Sequence, residues 1–121
     1  MPVVLARVAP IAMLLCSNVF MTTAWYGHLR FKDRPLALVV MASWGIAFFE
    51  YWLAVPANRW GSAVYSPSEL KAMQEVITLV VFMAFQAVYL GQRVTLAQAG
   101  GFGLIALGAL LVFRGAEVVH A

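Results

Sequence analysis

At 121 residues, 64% hydrophobic and only 11% charged, with mean hydropathy +0.87, the chain is too apolar for a water-soluble domain. Soluble domains carry about 25% charged residues, and about 20 residues per bilayer crossing leave no chain here for a separate soluble unit. The net charge of +3 is spread over loops and ends, with no basic cluster beyond Arg30-Phe31-Lys32-Asp33-Arg34. That excludes a nucleic-acid partner and suits loop cations near lipid headgroups.

The first apolar segment covers residues 4–25, interrupted by Pro10, Ser17 and Asn18. Arg7 is its only charge, and Leu15 stands where a lipoprotein signal has a small residue before Cys16. The segment is therefore expected to stay as a helix rather than be cleaved. Cys16, the single cysteine, allows no internal disulfide and reads as a small packing residue. Trp25 and Tyr26 suit an interfacial aromatic belt.

A charged loop over 27–34 precedes the second helix, predicted over 35–55. Pro35 opens it harmlessly, and Pro56-Ala57-Asn58-Arg59 is expected to close it. Residues 60–65 read as a loop anchored by Trp60 and Tyr65. The third helix, 67–90, begins on Ser66-Pro67-Ser68-Glu69, where Ser66 caps, Pro67 occupies the first turn and Glu69 completes a capping box. Gly91-Gln92-Arg93 makes a turn, helix four covers 96–113, and Arg114–Ala121 forms a tail in water. The expected fold is all-α: one polytopic domain, 1–121, of four transmembrane helices joined by short loops.

Arg7, Arg59, Lys71 and Arg114 fall on the side of both termini, and Arg30, Lys32, Arg34 and Arg93 on the other. Four against four leaves two readings open. Charge placement selects one orientation, or the chain inserts both ways and pairs antiparallel.

Two carboxylates lie within apolar runs. Glu50 follows 36–49, where Ser43 is the most polar residue; Glu75 precedes 76–90, interrupted only by Thr78 and Gln86. An ionised side chain at bilayer depth costs about 2.5–3.5 kcal/mol, so such groups face a protein interior or a water-filled path. Helical phase puts Lys71, Glu75, Thr78, Phe82, Gln86 and Tyr89 on one stripe of helix three. It puts Ser43, Ala47, Ala54 and Ala57 beside Glu50, with Trp44, Phe48 and Trp52 pointing away. Both glutamates are expected about 10–12 Å from the same membrane surface, on neighbouring helices. Two carboxylates meeting in apolar surroundings would hold a shared proton more readily than two negative charges. The opposing reading pairs them with nearby cations, Lys71 with Glu75 and Arg59 with Glu50. Asn18, sharing a face with Thr22 and Trp25, is either glue between helices or a substrate contact.

On helix four, Ala97, Gly101, Gly108 and Gly115 share one face, a small-residue groove expected to serve as a homodimer seam. The chain has no HExxH, paired CxxC, Walker or GxSxG motif, and His28 and His120 lack ligand spacing. No enzyme chemistry, metal or cofactor is expected.

Several stretches resemble a known group. Tyr89-Leu90-Gly91-Gln92-Arg93-Val94-Thr95-Leu96-Ala97-Gln98-Ala99-Gly100-Gly101 with the following Gly103–Gly108 run is similar to the last two helices of the drug/metabolite transporter superfamily, which includes the small multidrug resistance proteins. Ala24-Trp25-Tyr26-Gly27-His28-Leu29, residues 43–51, Val55-Pro56-Ala57-Asn58-Arg59 and residues 74–82 resemble a small four-helix bacterial family of unknown function within that superfamily. The resemblance implies a multi-pass protein of the bacterial inner membrane, a homodimer and a transporter. The Gly101–Gly108 spacing matches the motif by which small multidrug resistance proteins dimerise. Their essential helix-one glutamate has no counterpart here, where Asn18 is the nearest polar group, so their proton-coupled exchange does not carry over residue by residue.

Two functions are therefore expected in competition. One is a secondary transporter of a small polar or cationic solute, with Glu50 and Glu75 binding solute or proton. Asn18, Thr78 and Gln86 would line its path, and Trp44 and Phe82 would stack on a cation. The other is an accessory membrane protein whose carboxylates only fix helix packing.

Overall fold

The computed structural model describes residues 3–120, with side chains for residues 3–115. Four helices account for nearly all of it: α1 (Val3–Tyr26), α2 (Leu36–Gly61), α3 (Pro67–Val88) and α4 (Leu96–His120). A single 3-10 turn, Gly27–Arg30, follows α1. All four helices are long and apolar enough to cross a membrane, and the protein is an all-α, multi-pass membrane protein.

Local chemistry accounts for the helix starts. At α3 the Ser66 hydroxyl accepts from Glu69 N at 3.1 Å while Ser66 N donates to Glu69 Oε1 at 2.9 Å, the reciprocal box expected there. The same device opens α4, where Thr95 Oγ1 accepts from Gln98 N and Gln98 Oε1 accepts from Thr95 N, both at 3.1 Å. Between them Gly91 takes φ 68°, a left-handed conformation that glycine adopts without a Cβ penalty.

Two expected helix ends are corrected. Pro56 does not stop α2, which continues to Gly61 with Trp60 inside it. An internal proline costs about 3 kcal/mol. Here one face of the extra turn is buried: Ala57 is fully covered, and Gly61 lies against Pro10 of α1 and Leu70 of α3. Asn58 Nδ2 also donates to the Ala54 carbonyl at 3.0 Å, and Asn58 Oδ1 accepts from Gln74 Nε2 at 2.8 Å. Packing outweighs the lost backbone bond. The segment after Phe113, expected as a tail, continues α4 as helix to His120, whose side chain is outside the described residues.

The helices do not pack in chain order. α1 lies between α2 and α3, and α4 packs on α3. α2 and α3 meet only near their connection, through Gly61–Leu70 and Asn58–Gln74. Leu14 and Leu70 aside, the buried set is mostly small or polar, including Pro10, Ser17, Asn18 and Thr22 on α1. Helices in lipid gain nothing by hiding leucine from leucine, so small and polar contacts hold them. Cys16, expected as a packing residue, is exposed on the outer face of α1.

Gly61 is the tightest approach. A Cβ there would sit 2.9 Å from Leu70 Cδ2 and 3.3 Å from the Pro10 Cβ. The leucine can rotate away but the proline ring cannot. Gly61→Val is expected to cost about 1–3 kcal/mol, seen as a lower melting temperature in detergent.

Candidate functional site

Near the middle of α2, Glu50 is 5% exposed and its Oε1 accepts a hydrogen bond from Ser17 Oγ of α1 at 2.7 Å. The next residue along α1, Asn18, faces the other way. Its Oδ1 accepts from Thr78 Oγ1 of α3, and its Nδ2 donates to the Leu14 carbonyl at 2.8 Å. Two adjacent residues of one helix thus hold the two flanking helices, and a polar layer crosses the bundle at mid-height. Among the described residues no buried side-chain polar atom lacks a hydrogen-bond partner.

Each side of α1 carries a groove. The first, about 450 Å³, runs between α1 and α2 and is lined by Glu50 with Trp25, Trp44 and Tyr51, over a floor of Ser43, Ala47 and Ala54. The second, about 490 Å³, lies between α1, α3 and α4 and is lined by Asn18, Thr22, Thr78, Phe82 and Phe102. Met21 and Trp25 border both. The face expected around Glu50 is the groove floor, because small side chains there leave room beside the carboxylate. Trp44, expected to point away, is 66% exposed yet reaches the groove wall.

Glu50 and Glu75 do not meet. α1 separates their helices, and Glu75 pairs with Lys71 one turn earlier on α3, at 2.9 Å, with side chains 46% and 72% exposed. An exposed pair of this kind contributes at most about 1 kcal/mol. α2 ends at Gly61 rather than at residue 55, so Glu50 lies further from the end of its helix than the sequence suggests. At 1.5 Å per residue it lies about 16 Å from that end. Arg59 is exposed and makes no ion pair with Glu50 among the described residues.

Gln86 belongs to neither groove. It is buried at the α3–α4 connection, where its Nε2 reaches the Arg93 carbonyl and Gln98 Oε1, each at 3.5 Å. Phe82 meets Tyr26 edge-on at 5.0 Å between centroids. The polar stripe of α3 therefore divides: Thr78, Phe82 and Tyr89 face α1 and the turn after it, while Lys71 and Glu75 stay outside. Ala97, Gly101, Gly108 and Gly115 are all exposed on α4, and a Cβ at any of these three glycines would meet nothing within 4 Å.

The model of a family described as "Putative member of DMT superfamily (DUF486)" matches residues 10–113. The chain belongs to this family. No curated protein and no solved structure matches it. The match to this DMT family runs from Pro10 to Phe113, so the Ser17–Glu50 and Asn18–Thr78 contacts and both grooves lie inside it.

Ser17 is the hydrogen-bond partner of Glu50 that sequence reasoning missed, having registered only as an interruption in α1. The signal was present in the adjacent polar pair Ser17-Asn18 within an apolar helix, which needs a partner on each side. Asn18→Leu is expected to release α3 from α1 and lower stability by about 1–2 kcal/mol, measured by SDS titration of the purified protein in detergent.

Proposed function

We propose that the protein is a secondary transporter of a small polar or cationic solute, with Glu50 as the binding or coupling carboxylate. One observation carries this reading. A carboxylate near the middle of a membrane-spanning helix is 5% exposed, has no cation paired with it among the described residues, and borders an aromatic-walled groove. Burying such a group in lipid is costly, and carboxylates kept there mark solute or proton paths. Trp25, Trp44 and Tyr51 line the same groove, and aromatic rings beside a carboxylate suit a cation. Membership of a DMT family supports transport over enzyme chemistry.

Asn18, Thr78 and Phe82 serve the same path from the other side of α1, across Met21 and Trp25. Glu75 and Gln86 stand outside it. Both grooves open at the bundle surface, which supports a homodimer that closes them, with Ala97, Gly101, Gly108 and Gly115 of α4 as its seam. The bacterial inner membrane is the site of action in this reading.

The hydrogen bond from Ser17 favours a second reading, in which Glu50 only fixes α1 on α2. Proteoliposomes with an imposed pH gradient and an internal pH dye separate the two. A panel of quaternary ammonium ions and polar amides, which carry no proton across lipid by themselves, is added, and a proton-coupled transporter discharges the gradient beyond the rate in protein-free liposomes when it meets its solute. No discharge by any member of a broad panel supports the packing role.

A further inference from the structure

The end of the bundle holding the turn after α1, the loop into α2 and the α3–α4 connection carries Arg30, Lys32, Arg34 and Arg93 against one carboxylate, Asp33. In the remaining loops and ends the sequence carries Arg7, Arg59, Lys71 and Arg114 together with Glu69, Glu75 and Glu117, so charge nearly balances there. Asp33 forms no ion pair with the cations around it among the described residues. This end is therefore an unbalanced basic surface at headgroup level.

A groove of about 330 Å³ opens there. Arg34 and His28 line its loop end, Tyr89 borders it from just past the end of α3, and Leu38, Ala42 and Ile46 of α2 continue it towards mid-membrane. Arg30 lies 4.9 Å over the Tyr89 ring, which holds a further cation beside the groove. The Tyr89 hydroxyl donates to the Gly27 carbonyl at 2.9 Å and locks this wall to the turn after α1. From Leu38 to Ile46 the helix rises about 12 Å, close to the roughly 15 Å of one leaflet's hydrocarbon.

We propose that this groove binds an anionic phospholipid, with the phosphate at Arg34 and His28 and one acyl chain along Leu38–Ile46. Arginine forks match phosphate oxygens, and the apolar wall matches a chain that a free phosphate lacks. The proposal concerns a lipid and does not depend on transport.

The test is native mass spectrometry of the whole protein released from micelles doped equally with phosphatidylglycerol and phosphatidylcholine of the same chains. Phosphatidylglycerol should be retained several-fold more. Arg34→Gln should erase that preference, and Arg114→Gln, away from this surface, should leave it. Ala42→Trp keeps every charge but fills the groove, and should lower retention of both lipids. Equal retention by the native chain, or equal loss in Arg34→Gln and Arg114→Gln, overturns the proposal. Displacement of the lipid by millimolar inorganic phosphate also overturns it, because the site would then take a soluble anion.

Discussion

Glu50→Gln is expected to leave the fold intact and to slow solute-triggered discharge of a pH gradient by at least about tenfold, equivalent to about 1.4 kcal/mol. The substitution is nearly isosteric, and the glutamine carbonyl can still accept from Ser17 Oγ, so the α1–α2 contact survives. What is lost is the charge and the capacity to carry a proton beside the groove. Glu75→Gln is the control, since it removes one exposed ion pair worth at most about 1 kcal/mol and leaves transport unchanged. The packing role makes a different forecast: Glu50→Gln keeps its stability, Glu50→Ala, which removes the acceptor for Ser17, lowers it, and there is no discharge to lose. Transport at the native rate in both glutamine variants would remove Glu50 from the mechanism.

The second large effect is expected on α4. Gly101→Leu combined with Gly108→Leu should weaken dimerisation at least tenfold, again about 1.4 kcal/mol, while the monomer melts as before. Within one chain a Cβ at either position meets nothing within 4 Å, so the added side chains have nothing to clash with there. A helix lying along that face would be pushed away, because close approach depends on the missing side chains. Single-molecule photobleaching at low protein density in lipid counts the subunits directly. An unchanged proportion of dimers would place the seam elsewhere.

These forecasts differ in how much of them was legible in the sequence. The four apolar segments, the box at Ser66 and the turn at Gly91 follow from length, spacing and local hydrogen bonding, and each is found, with α2 and α4 running past the ends read for them. Pro56 shows the limit of such reading. Its missing N–H favours a stop, and only the burial of Ala57 and Gly61 against two other helices carries α2 past it. Glu50 and Glu75 show the same limit at the site. Depth and phase made them neighbours, yet helical phase holds no information on which helix lies beside which.

What the sequence determined by itself was a four-span membrane protein with a buried carboxylate to account for, because hydropathy and the cost of charge in lipid act residue by residue. Tertiary structure alone decided that α1 stands between α2 and α3. That order gives Glu50 to Ser17 and Thr78 to Asn18, and it leaves Glu75 outside with Lys71. The physical reason is that helices in a bilayer are sorted by small-residue fit and by pairing of polar groups across helices. Such partners are distant in the chain and meet only when it packs.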